Sequence, residues 1–149
     1  MFISKLSLRN FRNFRNVTLN FNKGVNTIIG ENGSGKTNLF HAIRLLIDES
    51  MPRGVRLYEN DFNRSLGKWA GHWIIIQIEF QELDSSEEAQ SIAMHKIGAV
   101  DDFDSSQGTY CMFFRPRIEI RRNLFKLSQS DDKTAEELED ILNEISLND

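Results

Sequence analysis

Eight consecutive residues have the types and spacing to cradle a polyphosphate: Gly30-Glu31-Asn32-Gly33-Ser34-Gly35-Lys36-Thr37. They fit the pattern G-x-x-x-x-G-K-[ST]. Glycines let the backbone curl so that successive N–H groups point inward at phosphate oxygens. A helix starting near Lys36 would aim its free amides and positive dipole end at the same anion. Lys36 can extend to the β- and γ-phosphates as a point charge. The Thr37 hydroxyl can ligate Mg²⁺, which itself bridges phosphates. The chemistry implied is binding of a nucleoside triphosphate, ATP with Mg²⁺. The bland reading of the segment is an ordinary glycine turn.

Such a loop needs a strand before it and a helix after it, and the sequence supplies both signals. Val25–Ile29 is a short, mostly apolar run, expected as a buried strand. Leu39, Ile43, Leu46 and Ile47 recur at helical spacing after the loop. Upstream, Leu6 and Leu8 alternate with Lys5, Ser7 and Arg9. Val17, Leu19 and Phe21 alternate with Thr18, Asn20 and Asn22. These read as two half-buried strands joined through the turn-rich Asn10–Asn16 into an antiparallel hairpin. Phe11 and Phe14 would pack that hairpin onto the sheet.

Downstream, residues 49–72 read as irregular, and Ile74, Ile76, Ile78 and Phe80 mark a strong strand. Ser85 with Glu88 suggests a capped helix near 86–96, and residues 98–108 a loop. Residues 109–127 read as one long strand or a bent pair interrupted at Pro116. On that reading Arg115, Arg117, Arg121 and Arg122 form a basic cluster on a strand. A DNA-backbone contact and a solvated strand face are both open for it. Thr134 with Glu137 caps a final amphipathic helix carrying Leu138, Ile141, Leu142 and Ile145.

The 149 residues fit one ordinary domain of globular composition. A single cysteine, Cys111, excludes an internal disulfide framework and any cysteine-rich metal site. No apolar run is long enough to span a membrane, and Met1–Lys5 lacks a signal-peptide core, so a cytoplasmic protein is expected. Net charge is -4, but unevenly spread. Residues 1–75 carry 11 Lys/Arg against 5 Asp/Glu; residues 76–149 carry 7 against 17. The basic half holds the glycine loop, which suits a polyphosphate, a DNA backbone or both. His41, His72 and His95 show no metal-ligand spacing and read as structural or surface residues.

The block from Leu8-Arg9-Asn10-Phe11-Arg12-Asn13-Phe14 to Gly30–Thr37-Asn38-Leu39 resembles the opening of the SMC/RecF group of ABC-type ATPases. The sequence G-x-N-G-S-G-K-[ST]-N, ending here at Asn38, is typical of that group. Within it the chain looks most like the ATPase part of OLD-family ATP-dependent endonucleases, through Ala42–Asp48 and the Tyr58–Phe62 segment. The strong match covers residues 1–48. The resemblance implies an α/β fold with α+β character: a P-loop NTPase first lobe with a mixed sheet and an N-terminal antiparallel hairpin. Residues 1–149 would be a single such lobe, the N-terminal part of a larger ATPase head. Two heads would sandwich two ATP molecules, giving a homodimer or higher oligomer, with DNA as the target. The resemblance also places Arg12 near the nucleotide; the alternative is a solvated hairpin arginine.

The sequence departs from the full pattern. Hydrolysis needs a carboxylate pair after an apolar strand, and Ile97–Asp102 is only a weak mimic. The serine-glycine-glycine signature and the carboxylate cluster of the nuclease domain are not found. Gln129 is a candidate for the family's glutamine loop, with a solvated glutamine as the alternative. Two other readings stay open: a stand-alone small P-loop kinase, with Arg53–Lys68 as its lid, and a non-hydrolysing nucleotide-binding module.

Overall fold

The computed structural model describes residues 1–48, 57–86, 107–129 and 135–145. Alternation in the first twenty residues produces β1 (Phe2–Phe11) and β2 (Phe14–Asn20). They pair antiparallel with Leu6 opposite Leu19 and Leu8 opposite Val17, forming the expected hairpin. The isoleucine-rich run forms β3 (Ile74–Gln81), and β4 spans Gly108–Phe114. The sheet order is β2-β1-β3-β4, and every described pairing is antiparallel.

A period of two divides the residues between the faces of this sheet. Leu6, Leu8, Ile74, Ile76 and Ile78 are fully buried on one face. Helix α1 (Lys36–Ile47) contributes Leu39 and Ala42 to the same core. Each of these leucines and isoleucines contributes about 1.5–3 kcal/mol by leaving water. This core fixes the start of α1 relative to the hairpin. Phe11 is fully buried, and Phe14 packs against the cluster.

Two sequence expectations need correction. Val25–Ile29 is not a strand: Val25 is 97% and Ile29 90% exposed. Only Ile28 reaches the core. An apolar run becomes a buried strand only where neighbouring strands take up its backbone groups, and no described strand lies beside this one. The second half of 109–127 is a helix, α2 (Ile118–Gln129). Pro116 ends the ladder of β4, and Ile120, Leu124 and Leu127 then turn a half-buried face inward at helical spacing.

Helix α3 (Ala135–Glu144) forms where the amphipathic pattern predicted it and packs on α2. Ile145, just beyond it, is buried near Phe62, Trp69, Phe114 and Pro116. Residues 57–72 hold two 3-10 turns, Glu59–Asp61 and Arg64–Leu66, in keeping with an irregular segment. The expected helix at 86–96 and the Ile97–Asp102 segment lie almost wholly outside the described residues, as does the proposed cap at Thr134.

Candidate phosphate-binding site

The glycine loop curls back on itself before α1 begins. Gly33 and Gly35 have φ of 83° and 102°, where an L side chain is strained. Lys36 folds its ammonium into the loop, donating to the carbonyls of Gly30 at 2.6 Å and Glu31 at 2.8 Å. Ser34 N–H donates to the Glu31 carbonyl at 3.2 Å, closing the turn over Asn32 and Gly33. Helix α1 starts with Gly35 at its N-cap and has neither a capping side chain nor an acid in its first turn. Its first amides, on Lys36, Thr37 and Asn38, precede the first helical hydrogen bond, from Leu39 N to Gly35 O. An uncapped helix start beside the Lys36 ammonium is suited to an anion with several oxygens.

The hairpin tip is fastened to this loop. Asn13 donates to the Ser34 carbonyl at 3.1 Å and accepts from the Asn38 amide at 2.9 Å. Arg12 donates from Nη1 to Asn38 Oδ1 at 2.9 Å and from Nε to Asp61 Oδ1 at 2.9 Å. Arg12 is therefore no solvated hairpin arginine: its guanidinium lies at the first turn of α1. Its backbone φ is 49°, a left-handed conformation rare for a long side chain. Three further contacts hold it there: Arg12 N–H to Asp61 O at 2.7 Å, Asn63 Nδ2 to Arg12 O at 2.8 Å, and the guanidinium over the Phe11 ring at 5.3 Å.

Gly35 is where the tip and the loop come closest. A Cβ there would lie 2.1 Å from the Asn13 amide nitrogen. Gly35→Ala therefore adds backbone strain of about 1–2 kcal/mol and pushes Asn13 off the loop. A fall in melting temperature of several degrees, with weakened ATP binding, is the expected result by thermal melting and titration.

A groove of about 540 Å³ opens beside the loop, lined by Arg12, Asn13, Asn38, Asn60, Asp61 and Asn63 among others. Asn13, Asp61 and Asn63 are site neighbours that the sequence reading missed. The only available signal was the position of Asn13 directly after Arg12 at the hairpin tip. His41, on α1, stacks on Phe11 with 6.3 Å between ring centroids. Burial first, then the Arg12 charge, lower its pKa from the ordinary imidazole value. Gln129 closes α2 rather than lying in a loop. Arg115 and Arg117 precede α2, and Arg121 and Arg122 lie on it, so the basic cluster is not on a strand. Among the described residues, no three His, Cys, Asp or Glu side chains converge as metal ligands. No described helix is long and apolar enough to cross a membrane.

Comparison with known proteins adds the family. A model described as "AAA ATPase domain" matches residues 1–148. The chain belongs to this ATPase domain family. It is 54% identical over 46 residues to the DNA replication and repair protein RecF of Geobacillus kaustophilus, covering 31% of the chain and 12% of that relative. It is 42% identical over 86 residues to RecF of Bacillus cytotoxicus, covering 58% of the chain and 21% of that relative. The match thus spans about a fifth or less of these relatives. The SMC/RecF-group resemblance is supported by both relatives, and the α/β P-loop NTPase fold class by the family.

Proposed function

We propose that this AAA-family chain is the ATP·Mg²⁺-binding first lobe of a DNA-directed, ABC-type ATPase head of the SMC/RecF kind. The observation that carries the proposal is the joint between hairpin and glycine loop. Arg12 and Asn13 bond to Asn38 and to the Ser34 carbonyl, so residues from both halves of the sequence resemblance meet at one anion-ready helix start. In this reading the backbone amides of Gly30–Thr37 take the phosphates, with Glu31, Asn32, Gly33 and Ser34 forming the curl. Lys36 leaves the loop carbonyls for the β- and γ-phosphates. Thr37 would contribute its hydroxyl to Mg²⁺, which would supply charge neutralisation at the phosphates, and Asn38 would keep Arg12 in reach of the triphosphate. Gly30 supports the fit, since a Cβ there would lie 2.7 Å from Ser34 Oγ.

For the intact protein we infer a head-to-head homodimer or higher oligomer, cytoplasmic, acting on DNA. An ATP-dependent endonuclease of the OLD type is supported only by the resemblance of Ala42–Asp48 and the Tyr58–Phe62 segment. A stand-alone kinase is less well supported, because the described sheet beside the loop, in the order β2-β1-β3-β4, is antiparallel rather than parallel.

Hydrolysis also needs carboxylates that hold the metal and orient water, and the sequence supplies no convincing pair. The chain alone is therefore expected to bind ATP·Mg²⁺ without turning it over. Steady-state phosphate release should match that of Lys36→Ala. Turnover by the wild-type chain that Lys36→Ala abolishes would contradict the binding-lobe reading.

A further inference from the structure

We infer that the sheet face turned away from α1 binds the phosphate backbone of DNA, at the end where β3 starts and β4 stops. The choice of DNA as the polyanion rests on the DNA-directed reading above. The placement rests on geometry that the nucleotide site does not use.

The strand register sets one cross-strand row on that face: Arg9 opposite Ile75, and Ile75 opposite Phe113. Trp73 and Arg115 extend it beyond the strand ends. The Phe113 ring meets Trp73 edge-on at 6.4 Å between centroids. The Arg115 guanidinium sits over the Trp73 ring at 5.5 Å, and Arg121, reaching over from α2, sits over it at 5.6 Å. Arg121 Nε also donates to the Pro116 carbonyl at 3.0 Å, which fixes the base of its fork.

Two guanidinium groups on one indole repel each other, and neither has an ion-pair partner among the described residues. The ring compensates part of that repulsion by about 0.5–1 kcal/mol per cation. It also prepays the entropy of ordering two long side chains. A guanidinium held over a ring by its charge still has N–H groups available for bonds to a phosphate. An added anion would thus meet two ordered forks that repel one another until it arrives.

The surroundings favour a polyanion. Residues 115–127 carry five Lys/Arg and one acid, Glu119, in a chain of net charge -4. The sheet face's own acid, Glu79, is bonded to Lys5 at 3.0 Å, toward the other end of the strands. On α3, Glu139 is bonded to Lys68 at 2.6 Å. Arg115 and Arg122 are exposed, as a surface for a long ligand requires.

The test is fluorescence anisotropy of a short labelled duplex across a salt series, with the wild-type chain, Arg115→Ala/Arg121→Ala and Arg115→Lys/Arg121→Lys. Thermal melting checks that each variant folds. The alanine pair should weaken binding by roughly tenfold or more and lower the salt slope by about 2. The lysine pair should retain most of the slope but lose affinity, since lysine keeps charge without the planar, forked donor set. ATP·Mg²⁺ affinity should be unchanged in both. Duplex binding that survives the folded alanine pair with an unchanged slope overturns this inference and leaves the DNA-directed reading standing. No duplex binding by the wild-type chain overturns both. Binding of anionic lipid vesicles in place of the duplex likewise overturns the assignment.

Discussion

Lys36→Ala should weaken ATP·Mg²⁺ binding by about 100-fold or more while leaving the fold intact. The Lys36 ammonium already lies within hydrogen-bond distance of two loop carbonyls, at 2.6 and 2.8 Å. These bonds store the cation where incoming phosphate oxygens can replace neutral acceptors with charged ones. A hydrogen bond between charged groups contributes about 1.5–3 kcal/mol, and losing one or two accounts for a factor of 100. Stability should change little, because these hydrogen bonds are solvent-exposed. Equal affinity in the variant would mean that the loop does not hold the triphosphate. A large loss of melting temperature would mean that Lys36 is mainly a structural staple.

Asp61→Ala should cost the fold about 2–3 kcal/mol and weaken nucleotide binding as a secondary effect. Asp61 is 8% exposed. Its carboxylate accepts from Arg12 Nε at 2.9 Å and from the Tyr58 amide at 2.9 Å. Breaking a fully buried ion pair costs about 3–5 kcal/mol. The Arg12 side chain is 29% exposed, so water recovers part of that loss. Arg12 meanwhile holds a φ of 49° that its neighbours must enforce. Without Asp61 the guanidinium loses the partner that aims it along the start of α1. Thermal melting should show a fall of roughly 5–10 °C. Asp61→Asn, which keeps an acceptor for the Tyr58 amide, should fall less. An alanine variant as stable as wild type would show that the Arg12–Asp61 contact contributes nothing net.

The hairpin and the glycine loop were legible in the sequence because their determinants are local. Leu6 and Leu8, then Val17 and Leu19, declare two strands within twenty residues. The glycine positions declare a curled backbone that few other residues can adopt. Val25–Ile29 was misread because burial is a property of neighbours, and the run itself carries only the apolar half of the requirement. Helix α2 was misread because Ile118 and Ile120 alternate with Arg117, Glu119 and Arg121 over too short a span to separate period two from period 3.6. The set Ile120, Leu124 and Leu127 shows the helical period only beyond that span.

The part of the site that sequence could not supply is made of distant contacts. Asp61 and Asn63 meet Arg12 across 49 and 51 residues of chain. The left-handed backbone of Arg12 follows from that meeting, not from its residue type. The cation–π arrangement at Trp73 is similar: the arginines were visible as a cluster, but only the turn at Pro116 and the packing of α2 bring Arg115 and Arg121 to one ring.

Calorimetric titration of ATP with Mg²⁺ into the wild-type chain and Lys36→Ala, side by side, tests the phosphate-binding assignment most directly. Saturable, Mg²⁺-strengthened binding to the wild type, with none measurable for the variant at the same concentrations, is the predicted result. Equal binding by both chains, or no binding by the wild type at millimolar ATP, would contradict it.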